Sequence, residues 1–433
     1  MELMAVSKNK ISKTFLLIDS LIIMLNLSAS YSILPYIVFH QYHRFINSII
    51  IVFIDVIYVY ARFHRVYIIK REPLFYIFVV LNLVNLIAAY ITDTGWYASL
   101  AYLVLNTVFY FVLYNIYINY SKRIGADDVF RLIFRGYLWL VFIALLSSLS
   151  LFTLASLGFN LHTNPVDTDY DLFKTNFEEL GSSHFFPYYL GVLVDTFDIR
   201  IPFFQEQGII TGLYHEAHIV TFMTFPCLPL ILYYIKNNWI RLFLSCCFVL
   251  ILLLAGSTTN IIAVFGCFLI YILYRFKTNF IKAVPFLLII ILAFFVIISS
   301  VDLSLFQFVF DKMDSSSAGY TQTTLEFAVT PKDIIGTSIY DETEVTSHGN
   351  MGNRDVGFLV FFLNIFFLIG CFIYLFKLFR AKSNMKLAYL LFASYFFIHS
   401  TKVAMVTYSL TMLTFVVFCI SHLSRTPDQE LKK

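Results

Sequence analysis

Charge is what this chain has least of. Asp, Glu, Lys and Arg make up 13% of its 433 residues, where a soluble domain carries roughly 25%. So few charges cannot clothe a water-facing surface. With 59% hydrophobic residues and a mean hydropathy of +0.79, the natural solvent of the chain is lipid. Cysteine is also sparse. Its 6 residues, Cys227, Cys246, Cys247, Cys267, Cys371 and Cys419, all fall in apolar runs and none in a polar loop. That argues against a disulfide framework and against a Cys-based metal site, and the adjacent Cys246-Cys247 pair is not a CxxC motif. A Gly-rich P-loop and a Rossmann pattern are both missing, as is an internal repeat of the transporter kind. The basic start (Lys8, Lys10, Lys13) leads into a long apolar run without a small-residue cleavage site, so no cleavable signal peptide is expected. Neither a cofactor, a metal nor a nucleic-acid partner is expected.

What is abundant is apolar and aromatic. Phe (49) and Tyr (29) are both plentiful, and Tyr and Trp suit the membrane–water interface. A membrane-crossing helix needs about 20 mostly apolar residues. Twelve such segments are predicted, near 14–39, 45–61, 73–92, 98–119, 131–158, 215–235, 239–256, 257–274, 282–300, 356–379, 386–400 and 402–422. The expectation is an all-α polytopic membrane protein with about 12 transmembrane helices. It divides into five spans in 1–158, a first large loop at 159–213, four spans in 214–300, a second large loop at 301–355, and three spans with a tail in 356–433.

The basic residues test this count. With the N-terminus inside and each span crossing once, 23 of the 30 Lys and Arg fall in inner segments and 7 in outer ones. That bias alternates along the whole chain, as the positive-inside rule requires. Both termini are therefore expected in the cytoplasm and both large loops outside it. The loops are acidic and interleave aromatics with Pro and Gly, as in Phe185-Phe186-Pro187-Tyr188-Tyr189, so they can fold back on the membrane surface. Loops of this length are usually functional or disordered.

Chemistry concentrates at the outer ends of spans. The stretch from Arg200 to His218 holds Arg200, Glu206, His215, Glu216 and His218 at the mouth of a span. A carboxylate or imidazole there can take a proton from a substrate hydroxyl. Glu216 also has a plain reading, as an acidic residue favoured by the dipole at a helix N-terminus. His215-Glu216-Ala217-His218 is not H-E-x-x-H, since its histidines are three apart rather than four. Gly256-Ser257-Thr258-Thr259-Asn260 is a polar turn that either faces an anionic head group or simply closes a hairpin. His348 to Asp355 ends the second loop with Arg354, a residue type that grips phosphate with a bidentate fork and also snorkels. Lys402 lies in a short outer turn. Arg44 also stands on the outer side. These cations beside candidate bases suit a lipid-linked diphosphate. Asp19 and Asp55 lie within spans, where ionisable residues are functional hypotheses by default. Asp19 sits near the inner face, where solvation is expected, and Asp55 deeper, where a structural hydrogen-bonding role is the simpler account.

The layout and three patches resemble the O-antigen and capsule repeat-unit polymerases (Wzy type), in the O-antigen-ligase-like superfamily. Gly212-Leu-Tyr-His-Glu216 is similar to the family's Gly-x-aromatic-x-Glu-Pro, with Ala217 in place of Pro. Leu254-Ala-Gly-Ser257-Thr-Thr-Asn is similar to its Leu-x-x-Ser-Arg-x-Gly turn, with Thr258 in place of Arg. Asp333-Ile-Ile-Gly336, Asp355-Val-Gly-Phe-Leu and Leu368-Ile-Gly370 are similar to its closing Gly- and Asp-rich segment. The family often carries an Arg three residues before the first Gly. Ile209 stands there, and Arg200 is the nearest candidate. The resemblance implies a metal-independent, GT-C-like inverting glycosyltransferase in the bacterial inner membrane. Its implied substrate is an undecaprenyl-diphosphate-linked oligosaccharide, and its implied partners are a flippase and a chain-length regulator. The implied roles are Glu216, His215 or His218 at the acceptor hydroxyl, Arg200, Arg354 and Lys402 on the diphosphate, and Ser257, Thr258, His348 and Asp355 lining the substrate. A repeat-unit flippase and the ligase of the same superfamily are the competing expectations.

Overall fold

The computed structural model describes residues 13–29, 43–92, 96–163, 182–196, 208–214, 217–225, 227, 231, 235, 237–255, 358–380 and 410–423. The predicted spans 257–274, 282–300 and 386–400 and the second loop lie outside the described residues. Nine α-helices are described: α1 (Lys13–Ser28), α2 (His43–Arg62), α3 (Pro73–Thr92), α4 (Trp96–Ile124), α5 (Ala126–Ser156), α6 (Ala217–Thr224), α7 (Asn238–Leu254), α8 (Phe358–Arg380) and α9 (Leu410–Leu423).

Local chemistry sets the helix ends. Pro73 opens α3, where its missing N–H costs nothing. Asn237 caps α7, its side-chain oxygen accepting from the amides of Trp239 (2.9 Å) and Ile240 (3.3 Å). Gly158, at φ +81°, closes α5 in a Schellman turn, with Phe159 N–H bonded to the Leu154 carbonyl and Gly158 N–H to the Ala155 carbonyl, both at 3.0 Å. The predicted end of that span, residue 158, is thus fixed by a glycine that tolerates the left-handed backbone.

Among the described residues four helices are long and apolar enough to cross a membrane: Phe45–Arg62, Pro73–Ile91, Ser99–Ser121 and Asp128–Ser156. At 1.5 Å per residue they reach about 27 to 44 Å, against a hydrocarbon core of ~30 Å. They coincide with the predicted spans 45–61, 73–92, 98–119 and 131–158. Their outward faces carry exposed Phe53, Ile57, Val80, Ile87 and Leu146. An apolar exterior of that extent fits lipid and not water. The chain is a membrane-embedded, mostly helical protein.

The helices interlock around α4, which packs against α2, α3, α5 and α9, while α1 lies along α5. Gly136 permits the α1–α5 approach, because a Cβ there would stand 2.7 Å from the Ser20 carbonyl oxygen and 2.8 Å from Ile23 Cβ. Helix α9 is enclosed on every side from Thr411 to Leu423, as befits a helix that is apolar all round.

The first loop departs from the all-helical expectation. It contains a three-stranded antiparallel sheet in the order β1 (Ser182–Phe185), β2 (Val192–Thr196), β3 (Ile209–Gly212). Ser182 pairs with Thr196 and Phe185 with Leu193, and a bulge interrupts the β2–β3 register between Val192 and Leu193. Leu193 and Ile210 turn inward onto Leu151 and Ala155 of α5 and Leu254 of α7. The sheet is therefore anchored to the end of the bundle where α5 terminates.

Candidate functional site

The best-described part of the predicted site is the root of the first loop. Two serines in the last apolar turns of α5, Ser147 and Ser148, form its seat. Ser147 Oγ donates to the Leu190 carbonyl. A Cβ on Gly191 would fall 2.4 Å from Ser147 Oγ, and one on Gly212 would fall 2.4 Å from Ser148 Oγ. Gly212 also has φ +66°, which a side chain would strain. Only glycine lets the hairpin sit this close to the helix. Thr211 Oγ1 donates to the Val192 carbonyl at 3.2 Å and ties β3 to β2.

The chain then runs Gly212-Leu213-Tyr214 into the start of α6 at Ala217, and the two residues between are His215 and Glu216. Tyr214 is 2% exposed and, among the described residues, its hydroxyl has no hydrogen-bond partner. It borders a small cavity shared with Ser148, Thr211 and Thr224. Three hydroxyls beside an orphan phenol make a space suited to an ordered water.

His218 is the second residue of α6, and Arg44 the second of α2. Arg200, His215, Glu216, Ser257, Thr258, His348, Arg354, Asp355 and Lys402 lie outside the described residues. Among the described residues no group of three or more His, Cys, Asp or Glu side chains could hold a metal.

The bundle interior holds more charge than the sequence revealed. Asp19 is not solvated; it is fully enclosed. Its carboxylate accepts from Tyr58 (2.6 Å) and Tyr120 (2.7 Å), and Arg62 Nε lies 3.3 Å away. Arg62 also bonds the Tyr120 hydroxyl and stacks 3.9 Å over the Phe15 ring. This cluster satisfies both carboxylate oxygens and joins α1, α2 and α4. Asp55 is fully enclosed too, and accepts from Asn26 Nδ2 at 2.9 Å.

A second buried ionic contact joins distant parts of the chain. Glu72, just before α3, faces His422 of α9 with Oε1 and Nε2 3.7 Å apart. His422 Nδ1 lies 3.0 Å from the Phe418 carbonyl, and the ring is stacked on Phe418 and edge-on to Tyr117. Sequence reasoning passed over this pair because Glu72 reads as a loop residue and His422 as the end of a span. An isolated His in an apolar run was the available signal.

Comparison with protein-family models, curated proteins and solved structures returns no match.

Proposed function

We propose that this protein is a membrane glycosyltransferase that polymerises lipid-linked oligosaccharide repeat units, as in O-antigen or capsule assembly. In this reading about twelve helices cross the bacterial inner membrane, both termini are cytoplasmic, and both large loops face outward. The acceptor is the non-reducing-end hydroxyl of a new repeat unit on undecaprenyl diphosphate. The donor is the growing glycan on a second such lipid. The hydroxyl oxygen forms a bond to the donor's anomeric carbon as the bond from that carbon to the diphosphate oxygen breaks. Glu216, or His215 or His218 beside it, takes the hydroxyl proton. The diphosphate leaves with the bonding electrons, stabilised by Arg200, Arg354 and Lys402. Ser257, Thr258, His348 and Asp355 line the substrate.

The observation that supports this most is the seat of Gly212 and Tyr214. The first patch of the resemblance begins in a hairpin clamped to a membrane-spanning helix, and rigid support of that kind suits a catalytic group. One observation favours a second reading, a repeat-unit flippase. Asp19, Asp55 and Glu72 are buried in the helical bundle, and buried intramembrane charge marks transport pathways as well as structural pairs.

The deciding measurement is the length of surface polysaccharide in a strain lacking the gene, complemented with the native gene, Glu216→Ala, Arg200→Ala or Arg354→Ala. A polymerase gives a single repeat on the lipid core in place of a ladder, and site variants that express without restoring the ladder. Loss of all surface glycan with lipid-linked units trapped inside would establish the flippase instead. Long polymer that remains unligated would establish the ligase.

A further inference from the structure

The α1–α2 seam holds polar residues at heptad spacing, Asp19 and Asn26 on α1 facing Ser48, Asp55 and Arg62 on α2. Its two carboxylates are treated differently. Asp19 has Arg62 and two tyrosine hydroxyls. Asp55 is 0% exposed and, among the described residues, has no cationic partner. Arg62, the nearest cation along α2, stands seven residues from Asp55, about 10 Å along the helix axis, and is committed to Asp19. The other titratable groups described around that cluster, Tyr58 and Tyr120, also point at Asp19.

The orientation of the Asn26 amide is fixed. Its Nδ2 donates both to Asp55 Oδ1 at 2.9 Å and to the Ile22 carbonyl at 3.1 Å, and flipping the amide would set oxygen against oxygen twice. Among the described residues, two buried atoms are then left without a hydrogen bond, Asp55 Oδ2 and Asn26 Oδ1. Both are acceptors if Asp55 is ionised. A single hydrogen between them satisfies both. Carboxylic acid and carboxamide are complementary in that form, joined by one N–H···O and one O–H···O bond, and the first is already in place. An ionised carboxylate buried without a cation would carry a desolvation cost that the single hydrogen bond from Asn26 offsets only in part.

We propose that Asp55 and Asn26 form a proton-binding site inside the membrane, in which Asp55 Oδ2 carries the proton and donates it to Asn26 Oδ1. The site is independent of the glycosyltransferase reading and lies in a different part of the bundle from the first-loop root. Its ligand is a single proton, held between two helices that Tyr58 and Arg62 also join through Asp19.

Infrared spectroscopy of the purified full-length protein in lipid nanodiscs tests this. At neutral pH the native protein is expected to show the carbonyl stretch of a protonated carboxyl group, absent in Asp55→Asn and retained in Asp19→Asn. No such band, or a band that persists in Asp55→Asn, overturns the proposal. Should Asp55→Asn fail to fold, Asn26→Ala gives the second readout: the band is expected to move to higher frequency as the acid loses its amide partner, and an unmoved band overturns the assignment. The spectra are compared in sodium chloride and choline chloride. An unchanged band supports a proton site, whereas a band abolished by sodium alone would reassign the site to an alkali cation.

Discussion

Asp19 and Arg62 are 43 residues apart and meet where α1, α2 and α4 converge. Removing one partner of a buried pair leaves the other charge uncompensated, which typically costs about 3–5 kcal/mol. Asp19→Asn is therefore expected to lower thermal stability in detergent by that order, since Arg62 remains nearly enclosed. Tyr58→Phe removes one donor to a charged acceptor and should cost about 1.5–3 kcal/mol. The two losses should not add, because both act on one carboxylate. A double variant whose destabilisation equals the sum of the singles would contradict a shared cluster. Glu72 and His422 invite the same comparison. His422→Phe keeps an aromatic ring against Phe418 and Tyr117 but takes the imidazole away from the Glu72 carboxylate. Adding Glu72→Gln should recover part of the lost stability, and melting curves without recovery would speak against the ionic contact.

At the scale of elements, the hairpin at the root of the first loop depends on two missing side chains. Gly212→Ala adds both backbone strain and a clash with Ser148 Oγ, and should loosen the hairpin while the helices stay inserted. Limited proteolysis should detect this as faster cleavage between residues 182 and 212. Ser148→Ala removes the clash and leaves the strain, so the double variant should be cut more slowly than Gly212→Ala alone. Equal cleavage of the two would mean that the serine does not form the seat. Little of this element was legible beforehand. The helices 45–61 and 73–92 announced themselves because about 20 consecutive apolar residues have few alternatives. Four- and five-residue strands such as Ile209–Gly212 carry no comparable period, and they lie in a loop rich in Pro and aromatics. Nothing in the sequence marks Ser147-Ser148 as the seat that faces two glycines. The end of α5 was legible, because Gly158 follows the last apolar residue at the place where a Schellman turn needs it. Asp19 was misjudged as solvated because its partners Tyr58, Arg62 and Tyr120 come together only after three helices have packed.

At the scale of the whole molecule, the exposed apolar faces predict that alkaline carbonate will not release the protein from membranes and that detergent will. The charge bias makes a sharper prediction. A phosphatase reporter active only outside the cytoplasm should be silent when fused after Arg71 and active when fused after Gly158; the reverse pattern would invert the topology. Helix α9 raises a different matter, that of timing. It lies far along the chain from the first five helices, yet it is walled in by α3, α4 and α8, with Thr414 bonded to Asn106 at 3.1 Å and His422 against Glu72. The first five helices must be inserted and wait with a vacant slot lined by Asn106 and Glu72. A nascent chain is thus incomplete at its centre, not at its edge, until α9 has been made. A stop codon at Leu410 should leave a product that reaches the membrane and is degraded there, its half-life in a pulse-chase far shorter than that of the full chain. Quality control for this protein is in effect a test of whether α9 has been made and docked.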